Sequence, residues 1–330
     1  MKVIGSIEQK NGIPEAVLSS SQLPADTGDS DEWLLATHGR TFHFAARFLP
    51  LKMRRDVVTL YAFFRTLDDL VDVPAEGRGI EDIRRELDAW RDWFAGGRSF
   101  SAPQEPLGSR LSAVLAEHCV PTTIFLDFLD GMFSDLEPQE MRNFAELHRY
   151  CYRVAGTVGL AMTHVMGVNS AQALFAAENL GIGMQLTNIL RDVGGDLALG
   201  RIYLPQNELA RFECSPAHLA RLLKGQRGPD DTFRAFMRYQ IARARDYYAH
   251  GMSGIWLLPL DCRLPILVAS RLYRRILTVI ERKDYDVLRS RASTTFPEKV
   301  REAMIAFTLD RLWSREEVGP IAEPEVLFES

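Results

Sequence analysis

A chain of 330 residues, 46% of them hydrophobic, has enough apolar surface to bury a sizeable core, so a globular fold is expected. Its formal net charge of −5 excludes the broad basic field that gathers nucleic acid. The four cysteines, Cys119, Cys151, Cys214 and Cys262, lie far apart without a C-x-x-C pair, which excludes a disulfide framework and fits reduced thiols in the cytoplasm.

Residues 1–30 mix charged and small polar side chains, have no basic segment leading into an apolar one, and are expected to be a flexible lead-in. From Trp33 to Leu312 apolar residues recur at three- and four-residue spacing and alternating β-branched runs are scarce, so the predicted class is all-α. Helices are predicted near 31–47, 54–73, 80–95, 107–118, 122–136, 143–166, 171–195, 215–225, 231–252, 264–282 and 297–312. Pro50, Pro74, Pro121, Pro205, Pro216 and Pro297 punctuate them as starts or stops. The Gly-, Ser- and Pro-rich loop from Gly96 to Pro106 has similar helices on both sides, so 31–315 reads as one domain, followed by a polar tail at 316–330. The most membrane-like stretch, Gly254 to Ser270, is broken by Pro259, Asp261, Arg263 and Pro265 and is too short to span a bilayer. Membrane contact, if made, is expected to be peripheral, at the inner face.

Two of these helices carry acidic stripes. Within Val57 to Asp72, the residues Tyr61, Arg65, Asp68 and Asp72 are spaced by four, three and four, which places them on one face of an otherwise apolar helix. Asp69 points about 100° away. Gln185, Asn188, Asp192 and Asp196 repeat the pattern among Ile, Leu and Val. One such stripe is common on a solvated surface, where like-charge repulsion is only about 0.2–0.5 kcal/mol. Two of them in apolar helices, each with an arginine nearby, point to a function, because buried Asp requires a positive partner. Mg²⁺ takes hard oxygen ligands and uses one or two carboxylates per ion beside substrate phosphate, so facing stripes would hold several ions, with Mn²⁺ able to substitute. The seven histidines show no H-E-x-x-H or similar spacing and are expected to be ordinary core or surface residues.

From about His38 to Arg291 these segments resemble the squalene/phytoene synthase family. The resemblance is carried by Tyr61 to Asp72 (YAFFRTLDDLVD), Asp130 to Leu136 (DGMFSDL), Tyr150 to Gly159 (YCYRVAGTVG), Gly181 to Pro205 (GIGMQLTNILRDVGGDLALGRIYLP) and Tyr273 to Arg291. It implies a single-domain isoprenoid synthase fold, a helical bundle around a central apolar cavity. By position, it implies that Asp68, Asp72, Asn188, Asp192 and Asp196 bind Mg²⁺. It further implies that Arg65, Arg191 and Arg201, with Thr41, Gln185 and Tyr203, hold diphosphate, whose oxygens a guanidinium fork matches. Tyr61, Tyr152, Tyr203 and Tyr273 are similar to the family's polar wall residues near the reacting carbons. The implied catalytic set is Tyr61, Arg65, Asp68, Asp72, Tyr152, Asp192 and Tyr273.

Two positions depart from the family pattern. In the early loop His38 to Phe42, Gly39 stands where a small hydroxyl residue is usual, leaving Thr41 alone. Gly195 replaces a usual acidic residue, and with Gly194 it puts two glycines in one turn, each about 1 kcal/mol less favourable than Ala. That turn, which carries Asp196, is expected to fray. Gly156, Thr157 and Gly159 leave a low-bulk helical surface that would border a prenyl chain or simply allow close packing. Arg271, Arg274, Arg275, Arg282 and Lys283 read first as a solvated face, with substrate or anionic membrane as the other reading.

The resemblance implies head-to-head condensation of two prenyl diphosphates, preferentially two C20 diphosphates giving phytoene through a cyclopropyl diphosphate in carotenoid biosynthesis. Formation of squalene, presqualene diphosphate or 4,4'-diapophytoene from two C15 diphosphates is the alternative, and a non-catalytic assembly factor is the alternative of another class. A head-to-tail prenyltransferase or terpene cyclase would share Asp68-Asp69-x-x-Asp72 but fits the second motif less well. Squalene would require a hydride donor. No G-x-G-x-x-G follows a strand, and Gly181-x-Gly183 lies inside a predicted helix, so NADPH is not expected. Nothing in the sequence identifies a protein partner.

Overall fold

The computed structural model describes residues 46, 49–72, 77–96, 101–137, 140–225 and 228–313. Thr41, the His38 to Phe42 loop, both proposed terminal segments and nearly all of the helix predicted over 31–47 lie outside them. Among the described residues twelve α-helices follow one another: α1 Leu51–Asp72, α2 Ile80–Ala95, α3 Leu107–Glu117, α4 Thr122–Ser134, α5 Phe144–Cys151, α6 Thr157–Val165, α7 Ala171–Ala198, α8 Gln206–Arg211, α9 Pro216–Lys224, α10 Asp231–Ser253, α11 Leu260–Arg282 and α12 Phe296–Trp313. Among the described residues no β-strand forms; the one extended contact is an isolated bridge between Glu140 and Ile202. No described helix is long and apolar enough to cross a membrane.

Local chemistry sets many of the helix starts. Asn143, Ser170, Ser215 and Asp230 each accept a hydrogen bond from the backbone N–H three residues on, which satisfies a donor that the first turn leaves open. α7 is apolar around most of its circumference, as a helix must be when other elements surround it. It runs through the middle of the bundle against α5, α6, α9, α10 and α11. Gly181 permits a close approach to the segment between α5 and α6: a Cβ there would lie 2.3 Å from the carbonyl oxygen of Ala155.

α1 has two opposed faces. Phe63 is fully buried and meets Phe64, Trp90, Phe94 and Phe125 edge-on at centroid distances of 5.0 to 5.7 Å. The stripe of Tyr61, Arg65, Asp68 and Asp72 lies on the other side of the same helix. The aromatic cluster thus locks α1 to α2 and α4 and fixes which way its carboxylates point.

Four segments differ from the sequence expectation. The helix predicted over 143–166 is interrupted by a π-turn at Tyr152–Gly156, whose extra residue per turn re-aims the side chains around it and turns Tyr152 toward Asp127. α11 begins at Leu260 and carries Pro265 inside it. A proline forfeits only one N–H, and Arg263 ties this end down by donating to the carbonyls of Trp256 (2.7 Å) and Leu258 (2.8 Å). The short α8 and a 3₁₀ turn at Ile255–Leu257 were not foreseen, being too brief to show periodicity.

Phe63→Ala is expected to lower unfolding stability by about 3–5 kcal/mol, since it opens a cavity among rings that cannot collapse. Urea denaturation followed by circular dichroism measures it, and a loss no larger than that of a surface substitution would contradict the locking role.

Candidate active site

On α1, Arg65 donates from Nη1 to Asp68 Oδ2 at 3.2 Å and forms a two-point contact with Asp69, with Nε to Asp69 Oδ2 at 2.9 Å. Asp69 therefore orients the arginine and is the more exposed of the two, in line with its position off the stripe. Asp68 is buried, and burial followed by the charge of Asp72 holds its carboxyl well above the usual range.

On α7, Asp192 sits between two guanidinium groups. Arg191 donates from Nε at 3.1 Å and Nη2 at 2.7 Å, and Arg291 donates from Nε at 2.7 Å and Nη2 at 3.1 Å. Four such bonds fill a carboxylate's acceptor sites. Arg191 is only 2% exposed, and its Nη1 is buried with no hydrogen-bond partner among the described residues, a donor left for an anion. One residue earlier in the stripe, Asn188 donates to Gln185 Oε1 at 3.2 Å.

The turn with the two glycines does not fray: α7 continues to Ala198. Gly194 is needed there for a tertiary reason. Its N–H meets the Val287 carbonyl at 3.3 Å, and a Cβ on it would lie 2.3 Å from the Leu288 carbonyl oxygen. This approach carries the 287–291 segment onto α7 and delivers Arg291 to Asp192. Gly195 faces open space.

Arg201 joins the two stripes. Its backbone N–H bonds to the Asp196 carbonyl at 2.8 Å while its Nη1 reaches Asp72 Oδ1 at 3.2 Å. The ends of α1 and α7 are thus held facing each other across one side chain. The Glu140–Ile202 bridge then brings Tyr203 against Tyr150, stacked at 5.1 Å, and both hydroxyls donate to Asp135 at 3.3 Å. Burial, with a smaller contribution from the charge of Asp72, pushes the Asp135 carboxyl up to about 7. A small polar pocket lined by Tyr150, Gln185, Asn188, Asp192, Asp196 and Tyr203 lies here.

Beside it opens an apolar cavity with an empty volume of about 1030 Å³, its mouth included, walled by α6, α7, the end of α10 and the start of α11. Gly159 does both things expected of the low-bulk surface: it lines the cavity, and a Cβ on it would collide with the Ala177 carbonyl at 2.4 Å. Tyr273 belongs to both regions. It lines the cavity, and burial first, then the charges of Arg191, Arg291 and Asp192, act on its hydroxyl. Tyr61 is fully buried and electrostatically coupled to Tyr273 and Arg65.

Most of the expected site residues therefore converge: Tyr61, Arg65, Asp68, Asp72, Gln185, Asn188, Arg191, Asp192, Asp196, Arg201, Tyr203 and Tyr273. Tyr152 stands apart, its hydroxyl donating to Asp127 at 2.7 Å and its ring lining neither pocket. The expectation missed Asp135, Tyr150 and Arg291 as participants, although all three fall inside or at the edge of the quoted motifs. It also missed that His118, 2.9 Å from Asp56, forms with Glu117 a group of ligand atoms within 4.8 Å of one another. Lys52 already pairs with Glu117, and Asp56 lies in the first turns of α1, twelve positions before Asp68.

The donor set suits a divalent cation. Asp68, Asp72, Asn188 and Asp196 offer hard oxygens, and Asp68 is buried near enough to Asp72 that, after burial itself, this neighbour's charge raises its carboxyl. Asp192 is engaged by its two arginines, so in this state it orients guanidinium groups toward the pocket.

The sequence model of the family described as squalene/phytoene synthase matches residues 35–306. The chain is 38% identical over 275 residues to the 15-cis-phytoene synthase of Synechococcus elongatus, covering 78% of this chain and 85% of that protein. It is 38% identical over 286 residues to the phytoene synthase of Arthrospira platensis, covering 82% and 89%. Among solved structures, a dehydrosqualene synthase in complex with ligand superposes with a TM-score of 0.75 at 27% identity, covering 86% of this chain and 96% of that one. The squalene synthase HpnC from Alicyclobacillus acidocaldarius shares the fold, with a TM-score of 0.66 at 24% identity over 78% and 94%.

Two outcomes are expected from this geometry. Gly194→Ala should lower the denaturation midpoint by forcing the 287–291 segment away, whereas Gly195→Ala should raise stability by up to about 1 kcal/mol; equal effects would contradict the close approach. The second concerns pH. Because the folded-state pKa of Asp135 is raised from its ordinary 3.8 to about 7, the folded chain holds a proton that the unfolded chain releases between those values. Its stabilisation is present at low pH and is lost as pH rises through about 7. In the metal-free chain, Asp135→Asn should flatten the fall in thermal midpoint between about pH 4 and pH 7, and an unchanged slope would remove Asp135 as its source.

Proposed function

The chain belongs to the squalene/phytoene synthase family, and we propose that it acts as a 15-cis-phytoene synthase on two geranylgeranyl diphosphates, using the two facing stripes as its diphosphate site. It is a prenyltransferase that condenses prenyl diphosphates head to head. The observation that carries the assignment of roles is Arg201, which ties Asp196's turn to Asp72 and so holds the end of the first stripe against the second, whose residues line the polar pocket.

Asp68, Asp72, Asn188 and Asp196, with Asp192 behind them, would hold Mg²⁺. When bound, the metal supplies charge neutralisation for a departing diphosphate, in many enzymes the largest catalytic contribution. The chain's own arginines act in the same direction. Arg191 presents its unpartnered Nη1, Arg65 is oriented by Asp69, and Arg201 lies between the stripes; each offers planar donors that match phosphate oxygens.

The cavity supplies the other half of the chemistry. An allylic cation persists only where water is excluded, and the wall residues Val158, Met162, Leu180, Met184 and Ile266 bring no hydroxyl, amine or carboxylate. Tyr273 stands where the cavity meets the arginines and places a polar but un-ionised hydroxyl beside the reacting carbons; burial keeps its proton on. Two prenyl chains lie in the cavity with their diphosphates at the polar pocket. The double bond of one attacks the C1 carbon of the other, a proton is lost to give the cyclopropyl diphosphate, and a second ionisation and proton loss give the hydrocarbon.

The test is incubation of the chain with C15 or C20 diphosphate, with and without NADPH, followed by identification of the lipid. Phytoene from the C20 substrate, independent of NADPH and abolished by EDTA, is expected; a C30 product that appears only with NADPH would overturn the assignment. Asp68→Asn removes a carboxyl that burial already disfavours, so the fold should survive while pyrophosphate release falls by about 10²–10³. Retention of full activity would exclude Asp68 from the site.

A further inference from the structure

Closing the cyclopropyl ring releases a proton, and that proton needs an acceptor. Among the described residues the cavity wall carries no carboxylate, amine or imidazole, so the acceptor belongs to the polar end. Most carboxylates there are already engaged. Asp192 is filled by Arg191 and Arg291, Asp69 is gripped by Arg65, and Asp68, Asp72 and Asp196 are the proposed metal ligands. A guanidinium passes no proton to the carboxylate it holds, because it keeps its own at any ordinary pH. Asp135 is different. It is 9% exposed, and the side chains that bond to it among the described residues are the neutral hydroxyls of Tyr150 and Tyr203.

Packing places this group from two sides. Asp135 follows α4 directly and its N–H bonds to the Gly131 carbonyl at 3.2 Å, so it takes its direction from the helix end. That end is pressed on the π-turn: a Cβ on Gly131 would lie 2.8 Å from Val154 Cγ1. From the other side, the N–H groups of Gln206 and Asn207 bond to the carbonyls of Met141 and Arg142 at 2.8 and 3.0 Å, which holds the segment after α7 beside the one before α5. Tyr203 is thereby set over Asp135. Burial first, then the charges of Asp135, Arg201 and Asp196, act on the Tyr203 hydroxyl, whereas the largest influences on Tyr150 after burial are Asp135 and Tyr203. Both rings line the polar pocket, and Tyr203 is the one whose hydroxyl stands between Asp135 and the charged groups of the stripes.

We propose that Asp135 is the proton acceptor of ring closure, reached through the Tyr203 hydroxyl; this rests on the catalytic reading above. A C–H bond on the attacked C1 carbon breaks, and its electron pair closes the ring onto the carbon left cationic by the attack. The proton passes to Tyr203 Oη as the tyrosine's own proton moves to Asp135 Oδ1. The hydroxyl is neutral before and after, and the carboxylate ends as the neutral acid. Burial first, with the charge of Asp72 opposed by that of Arg201, sets the Asp135 carboxyl at about 7, near the pH at which a proton acceptor serves best. Asp135 acts through Tyr203 and also holds the two rings, stacked at 5.1 Å, at the edge of the pocket.

The test uses the full chain with Mg²⁺ and a prenyl diphosphate carrying hydrogen or deuterium at C1, C20 or C15 as the native chain prefers. Asp135→Asn keeps the shape of the side chain. It should lower kcat for the hydrocarbon by about 10²–10⁴ with KM unchanged. A primary isotope effect larger than that of the native chain should appear with it, because breaking the C1–H bond becomes the slow step. Asp135→Glu should recover part of the rate. Tyr203→Phe keeps the ring stack and should show the same enlarged isotope effect, which carries the test should circular dichroism show Asp135→Asn to be unfolded. No hydrocarbon from the native chain would overturn the catalytic reading and this assignment with it. Hydrocarbon from the native chain, with both variants either fully active or slowed at an unchanged isotope effect, overturns this assignment alone and is the result expected if departing diphosphate takes the proton.

Discussion

Carboxylates held inside a helical bundle are the constraint on which the rest of this structure depends. Taking an ionised Asp out of water is unfavourable by several kcal/mol unless cations and hydrogen bonds compensate. The bundle meets this in two ways. Asp192 is compensated fully, by two arginines that grip both of its oxygens. Asp68 accepts a bond from Arg65, and burial followed by the charge of Asp72 holds its carboxyl well above the usual range. The site therefore sets buried carboxyl groups close together beside an arginine Nη1 with no hydrogen-bond partner among the described residues, a combination that suits a metal and an anion arriving together.

Rigid packing is what makes such an arrangement tolerable. The Phe63 cluster fixes the orientation of α1, and the close contacts of α7 at Gly181 and Gly194 fix the second stripe and the segment that brings Arg291. A stripe free to rotate would turn its carboxylates to water and lose the site. The strongly apolar faces of both helices, which leave no solvated alternative, are as much part of the diphosphate site as the aspartates are.

The polar pocket and the apolar cavity demand opposite environments, yet the chemistry needs them in contact. Tyr273 stands at that boundary, polar enough to face arginines and apolar enough to line a greasy wall. At the other end of the cavity, the cluster around Ile255 and Ala306 continues the apolar medium toward the face of α12. The molecule is thus graded from charge to hydrocarbon along one direction, consistent with a reaction that begins with two diphosphates and ends with an insoluble lipid.

Periodicity by itself determined the all-α class, the limits of α2 to within a residue, and the composition of both stripes, because a helix places residues three and four apart on one face whatever surrounds it. The motifs were enough to name the family. Tertiary structure alone decided what crosses between elements. It showed that Arg201 spans 129 positions to reach Asp72 and that Arg291 spans 99 to reach Asp192. It also showed that Asp135 lies under Tyr150 and Tyr203, that Tyr152 turns away at the π-turn, and that Gly194 is required by a neighbouring carbonyl and does not loosen its helix. The physical reason is the same in each case: local sequence sets the direction of a side chain about its own helix axis, and only the packing of distant helices decides what it meets there.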